Sequence, residues 1–233
     1  MDQAGENRWI KLVRSDTIER IATDELRVAE LLPSSPGAIR IERFVEKRFA
    51  ISCVRYESLD HGILGYTQFG PKGVEAIIVS RALSEEGSRV AERRINTTLA
   101  HEAGHGLLHI NLFRIDAFPI SIFENSTDVT PTRILCRDVP HAGSVAQREY
   151  NGRWWELQAN RMIGALLLPV PLVRACLQDL LVPLGSLGAN ALPDQSRYSA
   201  IHLLSEVFDV NPKVAEIRIQ LLYPPLAHEQ LTL

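Results

Sequence analysis

His101, Glu102 and His105 stand in the order H-E-x-x-H within the segment LAHEAGHGLL. On a helix, histidines four apart point the same way from successive turns. Both rings can then reach one Zn2+ at ~2.0–2.1 Å, and the glutamate beside the first can touch water bound to that ion. A metal site and a base thus come from one turn of chain. The competing reading is two partly exposed histidines on a surface helix, so the rest of the sequence has to discriminate.

The discriminating segment is 154–168, where Glu156, Asn160, Ile163 and Leu167 share one face of an expected helix. Two polar residues head an otherwise apolar stripe. Burying a carboxylate there is costly unless a metal or a positive partner compensates it, which makes Glu156 the natural third ligand. Asn160, one turn on, can accept from the non-coordinating N–H of a ligand histidine and fix its tautomer. The alternative for Glu156 is a solvated helix start favoured by the helix dipole. His109 falls short of the third-histidine position of the metzincin pattern, so it reads as a packed or hydrogen-bonded histidine beside the site. Cys136 and Cys176 are weighed as zinc ligands against the commoner role of a free cysteine as a small hydrophobe.

These residues need elements to hold them. A helix is expected over 16–32 from Ile18, Ile21, Ala22, Ala29 and Leu32, stopping at PSSPG, and a second over 38–49 with Ile41, Phe44, Val45 and Phe49 on one side. Three β-rich runs follow, ISCVRY, GILGYTQF and VEAIIVS, the last two separated by the turn signal GPKG. Their short connections imply a small antiparallel sheet of about three strands. From 89 to 112 the pattern is helical, with Ile95, Leu99, Ala103 and Ile110 on a packing stripe and the three histidines on another side. Residues 113–152 read as irregular and long enough for a functional loop. The helix from Trp154 should end at Pro169, and two tail helices, 196–208 and 212–222, are split by DVNP, with Asn211 capping and Pro212 in first position. The expected class is α+β, divided as an N-terminal helical extension (1–36), a metal-site domain (37–170) and a C-terminal helical appendage (171–233).

Composition narrows the setting. In 233 residues, 45% hydrophobic, 25 basic side chains face 28 acidic ones, a net charge of −3. That balance supplies no electrostatic footprint for life on nucleic acid or an anionic membrane. Three widely spaced cysteines without a C-x-x-C pair fit reduced thiols in a cytoplasm. The polar N-terminus lacks the apolar core of a secretory signal, and the most apolar stretch, from Met162, meets Pro169, Pro171 and Arg174 before it could span a bilayer.

The stretches INTTLAHEAGHGLLH and WWELQANRMIGALLLP together resemble the ImmA/IrrE-like zinc metallopeptidases of bacteria and their mobile elements, the second being similar to that family's E-x-x-A-N signature. The resemblance covers roughly 37–170 and implies a zincin-like domain with metal ligands His101, His105 and Glu156, catalytic Glu102 and a bound Zn2+. Two departures are CRDVPHAGSVAQREYNGR between the motifs and Met162-Ile163 where the family often has phenylalanine. The implied substrate is a helix-turn-helix repressor, or an antitoxin-like partner, cut to derepress stress-response or mobile-element genes. His141 and Tyr150 are candidate donors to an oxyanion, and VEAIIVS, if at a sheet edge, could bind an extended substrate by strand addition. The rival reading is a DNA-binding regulator with a vestigial zincin fold and a C-terminal helix-turn-helix. Lys213 and Arg218 against Glu216 make a poor recognition face for it.

Overall fold

The computed structural model describes residues 13–112, 132–137, 154–184 and 189–225. Its architecture is α+β, with helices packed around a mixed sheet. The first helix, α1 (Ser15–Val28), buries Ile18, Ala22 and Leu26, one residue per turn along a single stripe. It ends earlier than the apolar pattern indicates. Glu30 adopts φ 58°, and the Leu31 N–H reaches back to the Leu26 carbonyl at 2.9 Å, a left-handed helix ending where glycine is usual. Lys47 of α2 (Ile41–Phe49) donates to both Ala29 O and Glu30 Oε2 at 2.8 Å and ties this turn to the next helix.

The sheet contains β1 (Arg55–Glu57), β2 (Ile63–Gly70), β3 (Gly73–Ser80) and β4 (Thr132–Arg137) in the order β1-β3-β2-β4. The β2–β3 hairpin closes at Gly70 and Gly73 around the expected turn. Two expectations need correction. The sheet is mixed, not antiparallel, because β1 pairs in parallel with β3, and it gains a fourth strand, β4, antiparallel on the outer edge of β2. Residues 113–152 are also not wholly irregular, since β4 lies among them.

From Ser80 the chain passes through α3 (Arg81–Glu86) into α4 (Arg89–Leu108), whose N-cap Ser88 accepts from the Ala91 N–H at 3.1 Å. Helix α5 (Trp154–Leu167) lies against α4 and stops before Pro169. A further helix, α6 (Val170–Leu177), starts directly after this stop with Pro171 in its first turn, where a missing N–H costs nothing. The described chain continues through a small hairpin of β5 (Val182–Leu184) and β6 (Ala189–Ala191), then α7 (Arg197–Val207) and α8 (Pro212–Leu222). Asn211 accepts from the Lys213 N–H at 2.9 Å with Pro212 beginning α8.

One hydrophobic cluster runs from Ile18 through Phe44, Leu99, Met162 and Leu204 to Tyr223, so both ends of the described chain share a core. Polar ties reinforce it. Arg93 of α4 donates to Ser205 O at 3.0 Å and pairs with Glu206 and Asp209 at 2.9 Å each. Arg218 of α8, 1% exposed, donates to Leu168 O at 3.0 Å and to Glu19 Oε2 at 2.7 Å, linking α8, the end of α5 and α1.

Candidate metal centre

Helix α4 is the middle layer of the molecule. The sheet covers one side and α5 another, so every residue from Thr98 to Gly106 is buried. The expected division into a packing face and an imidazole-presenting face therefore gives way to burial all round. His101, His105 and His109 are 4%, 0% and 1% exposed, which removes the reading of surface histidines.

Two glycines permit this layering. A Cβ on Gly104 would stand 3.0 Å from Ala159 Cα and from Met162 Cβ, so α4 and α5 meet almost backbone to backbone. A Cβ on Gly65 would stand 2.7 Å from Ile78 O and from Thr98 Cγ2, so β2 lies equally close to α4 on the other side. The first approach brings Glu156 to the histidines. The second brings Thr67, two residues along β2 on the same face as Gly65, to Glu102.

The inner nitrogens converge. His101 Nε2 and His105 Nε2 are 3.0 Å apart, and the Glu156 carboxylate approaches them at 3.3 Å through Oε2 and 3.7 Å through Oε1. One ligand atom from each of the three residues lies within 4.8 Å of the other two. The outer nitrogens are held: His101 Nδ1 is 3.2 Å from Asn160 Oδ1, and His105 Nδ1 is 3.1 Å from His109 Nδ1. An amide oxygen can only accept, so His101 donates from Nδ1 and turns a lone pair on Nε2 inward. The Glu156 side chain keeps 27% exposure against 5% and 0% for the two histidines, so the centre is open on its side.

Glu102 lies beside this group and is fully buried. Thr67 Oγ1 donates to its Oε2 at 2.6 Å, while its Oε1 has no partner among the described residues. Burial raises the Glu102 carboxyl to about 7, against the opposing pull of His101 and the Thr67 hydroxyl. Burial opposes charge on Glu156 too. There the hydrogen bonds to His101 and His105 outweigh it and hold the carboxyl well below the ordinary range. Burial lowers His105, and burial followed by the neighbouring His105 lowers His109 to about 4. For His101, burial is outweighed by Glu156 and Glu102, and the net direction is upward.

Two nitrogens and a carboxylate directed at one point are what a divalent cation requires, and the donor set fits a transition metal better than a hard, all-oxygen ion. The unpartnered Glu102 Oε1 adds a buried acceptor beside that point, which a metal site with its attendant water would satisfy. Cys53 and Cys176 are free thiols and belong to no such group among the described residues, while the Cys136 side chain lies outside what the structure describes. His141 and Tyr150 lie outside the described residues, as does most of the segment joining the two motifs. The run VEAIIVS is β3, paired with β2 from Gly73 to Val79 and with β1 only over Ile78–Ser80, so on the β1 side Val74–Ile77 have no strand partner among the described residues.

Two polar residues at the centre escape a reading by motif. Thr67 is the buried polar side chain facing α4 from β2, and Gln158, 1% exposed, places Oε1 3.1 Å from His109 Nε2. Inward register beside Gly65 could have exposed the first, and a glutamine four residues before the buried Met162 on α5 the second. No protein-family model matches the chain, and no curated protein matches it.

Proposed function

We propose that this chain is a zinc-dependent endopeptidase that cuts a helix-turn-helix transcriptional repressor, or an antitoxin-like partner, and so derepresses stress-response or mobile-element genes. The carrying observation is the convergence of His101 Nε2, His105 Nε2 and the Glu156 carboxylate beside a buried glutamate with one unpartnered oxygen. Two histidines and a glutamate are a ligand set of catalytic zinc, which keeps a position open, rather than of a closed structural site. When bound, zinc supplies Lewis acidity and a water whose pKa falls toward ~7.

The chain's own residues do the rest. Thr67 anchors Oε2 of Glu102, so Oε1 is the atom left to take a proton from an attacking water and hand it to the leaving amine. A carboxyl raised to about 7 by burial can serve in both directions near neutral pH. Asn160 holds the His101 ring, and the partly exposed Glu156 side marks where a peptide would approach.

The choice of a repressor rests on the resemblance of both motifs to ImmA/IrrE-like peptidases, and it puts the enzyme in the cytoplasm with its substrate. No single helix among the described residues is long and apolar enough to cross a membrane. The rival DNA-binding reading loses its recognition face. Arg218 is buried against Glu19, and Lys213 is paired with Glu216 at 2.8 Å.

The test is incubation of the zinc-loaded chain with a helix-turn-helix repressor chosen from the neighbouring genes of its own genome, and with an unfolded protein, with Glu102→Gln in parallel. We expect specific cleavage by the unsubstituted chain and a loss of about 10²–10⁴-fold in the variant at equal zinc content, the range for removal of a general base. Absence of cleavage of both that repressor and an unfolded protein by the zinc-loaded chain would overturn the assignment.

A further inference from the structure

Behind the ligand nitrogen of His105 stands a second imidazole. His105 Nδ1 faces His109 Nδ1 at 3.1 Å, and His109 Nε2 faces Gln158 Oε1 at 3.1 Å. All three residues are buried. Trp154 meets the His109 ring edge-on at 5.5 Å between centroids.

Proton counting fixes the order along this chain. A nitrogen-to-nitrogen hydrogen bond needs one proton between the two atoms, and a neutral imidazole carries one proton only. With Gln158 presenting its oxygen, His109 donates from Nε2 and is left with a lone pair on Nδ1. That lone pair accepts from His105 Nδ1, and His105 turns its own lone pair, on Nε2, toward His101 and Glu156. Rotating the Gln158 amide end for end reverses every step. Its NH2 would donate to His109 Nε2, His109 would donate from Nδ1, and His105 would carry its proton on Nε2, where a metal cannot bind. Gln158 Nε2 has no partner of its own among the described residues, and the contact to His109 is made by the amide oxygen.

We propose that His109 and Gln158 are positioning residues that hold His105 in the tautomer able to bind the metal, the amide oxygen of Gln158 setting the proton order through His109. This rests on the metal reading above. It gives His109 a role that is neither ligand nor filler, and it makes the two ligand histidines differ: His101 is set directly by an amide, His105 through an intervening ring.

The experiment measures zinc affinity by chelator competition in the full chain and in Gln158→Met and Gln158→Glu, with thermal midpoints as folding controls. Methionine keeps the volume and removes the acceptor. Affinity should fall by about 10–100-fold, the usual cost of losing an outer partner of a ligand histidine. Glutamate keeps an acceptor and has no NH2 to reverse the order, so it should stay within about threefold of the parent by the same reasoning. Two-bond 1H–15N spectra of the unsubstituted chain should show His109 neutral with its proton on Nε2 when zinc is bound. A proton on His109 Nδ1 in that state, or folded methionine and glutamate variants equal in affinity to each other, would overturn the proposal. Failure of the unsubstituted chain to bind zinc at all would instead bring down the metal reading, and this inference with it.

Discussion

Gly104 of α4 and Ala159 of α5 meet with only 3.0 Å between the Ala159 Cα and the point where a Gly104 side chain would begin. The glycine lies one residue before His105, and Ala159 lies one before Asn160, so this close crossing of the two helices sits at the height of the metal group. Helix separation and ligand separation are thus one quantity. We expect Gly104→Ala to cost about 1–3 kcal/mol in stability through overpacking, and to weaken zinc binding by spreading the histidines from Glu156. Thermal denaturation and chelator competition read the two effects. Loss of stability with unchanged zinc affinity would show that the crossing does not gauge the site.

Thr67 offers a second test, through pH. Its hydroxyl donates to Glu102 Oε2 and favours the ionised carboxyl, so removing it must raise the Glu102 pKa further above its already elevated value. A general base works when deprotonated, so the acidic limb of the pH–rate profile should move to higher pH in Thr67→Val and return in Thr67→Ser. The valine substitution preserves shape but strands a buried carboxylate oxygen, so kcat should fall at neutral pH as well. A valine variant with the parent's profile would detach Thr67 from the base.

The H-E-x-x-H spacing and the polar head of α5 were legible because each is a local pattern whose chemistry follows from helical period alone. The end of α5 at Pro169 and the Asn211–Pro212 start of α8 were legible for the same reason. What the sequence hides is pairing between distant segments. Nothing in ISCVRY states that β1 joins the far edge of β3 in parallel, and TRILCR is too short to stand out from the long stretch around it. Thr67 and Gln158 stay hidden because their roles depend on what lies across a helix interface. The burial of both sides of α4 stays hidden for a related reason, since its period shows a packing side and an imidazole side but not that neighbours cover both.

Glu156 is the partner that spans two elements, and its removal should act on the metal first. Glu156→Ala leaves two histidines as ligands and should lower zinc content in the purified chain, measured by elemental analysis, by at least about 10-fold in affinity terms. The fold should persist, because the carboxylate is partly exposed and lies outside the hydrophobic cluster. Full zinc occupancy in this variant would mean that the third ligand lies elsewhere.

Arg218 and Glu19 provide a prediction remote from the metal. The guanidinium is 1% exposed, the carboxylate side chain 22%, and they join the last described helix to the first. Breaking a buried pair by removing one partner costs about 3–5 kcal/mol, because the remaining charge is stranded. Arg218→Met should fall toward the lower end of that range, since Glu19 keeps some water, although the Leu168 carbonyl also loses its donor. Replacing Glu19 by Gln in the same chain removes the stranded charge and should restore part of the loss, giving a clear coupling energy in a double-mutant cycle. Zinc affinity should not change in any of the three variants. Additive losses would show that the two groups act independently of each other, and a fall in zinc affinity would show that the tail helices bear on the site through Leu168 and α5.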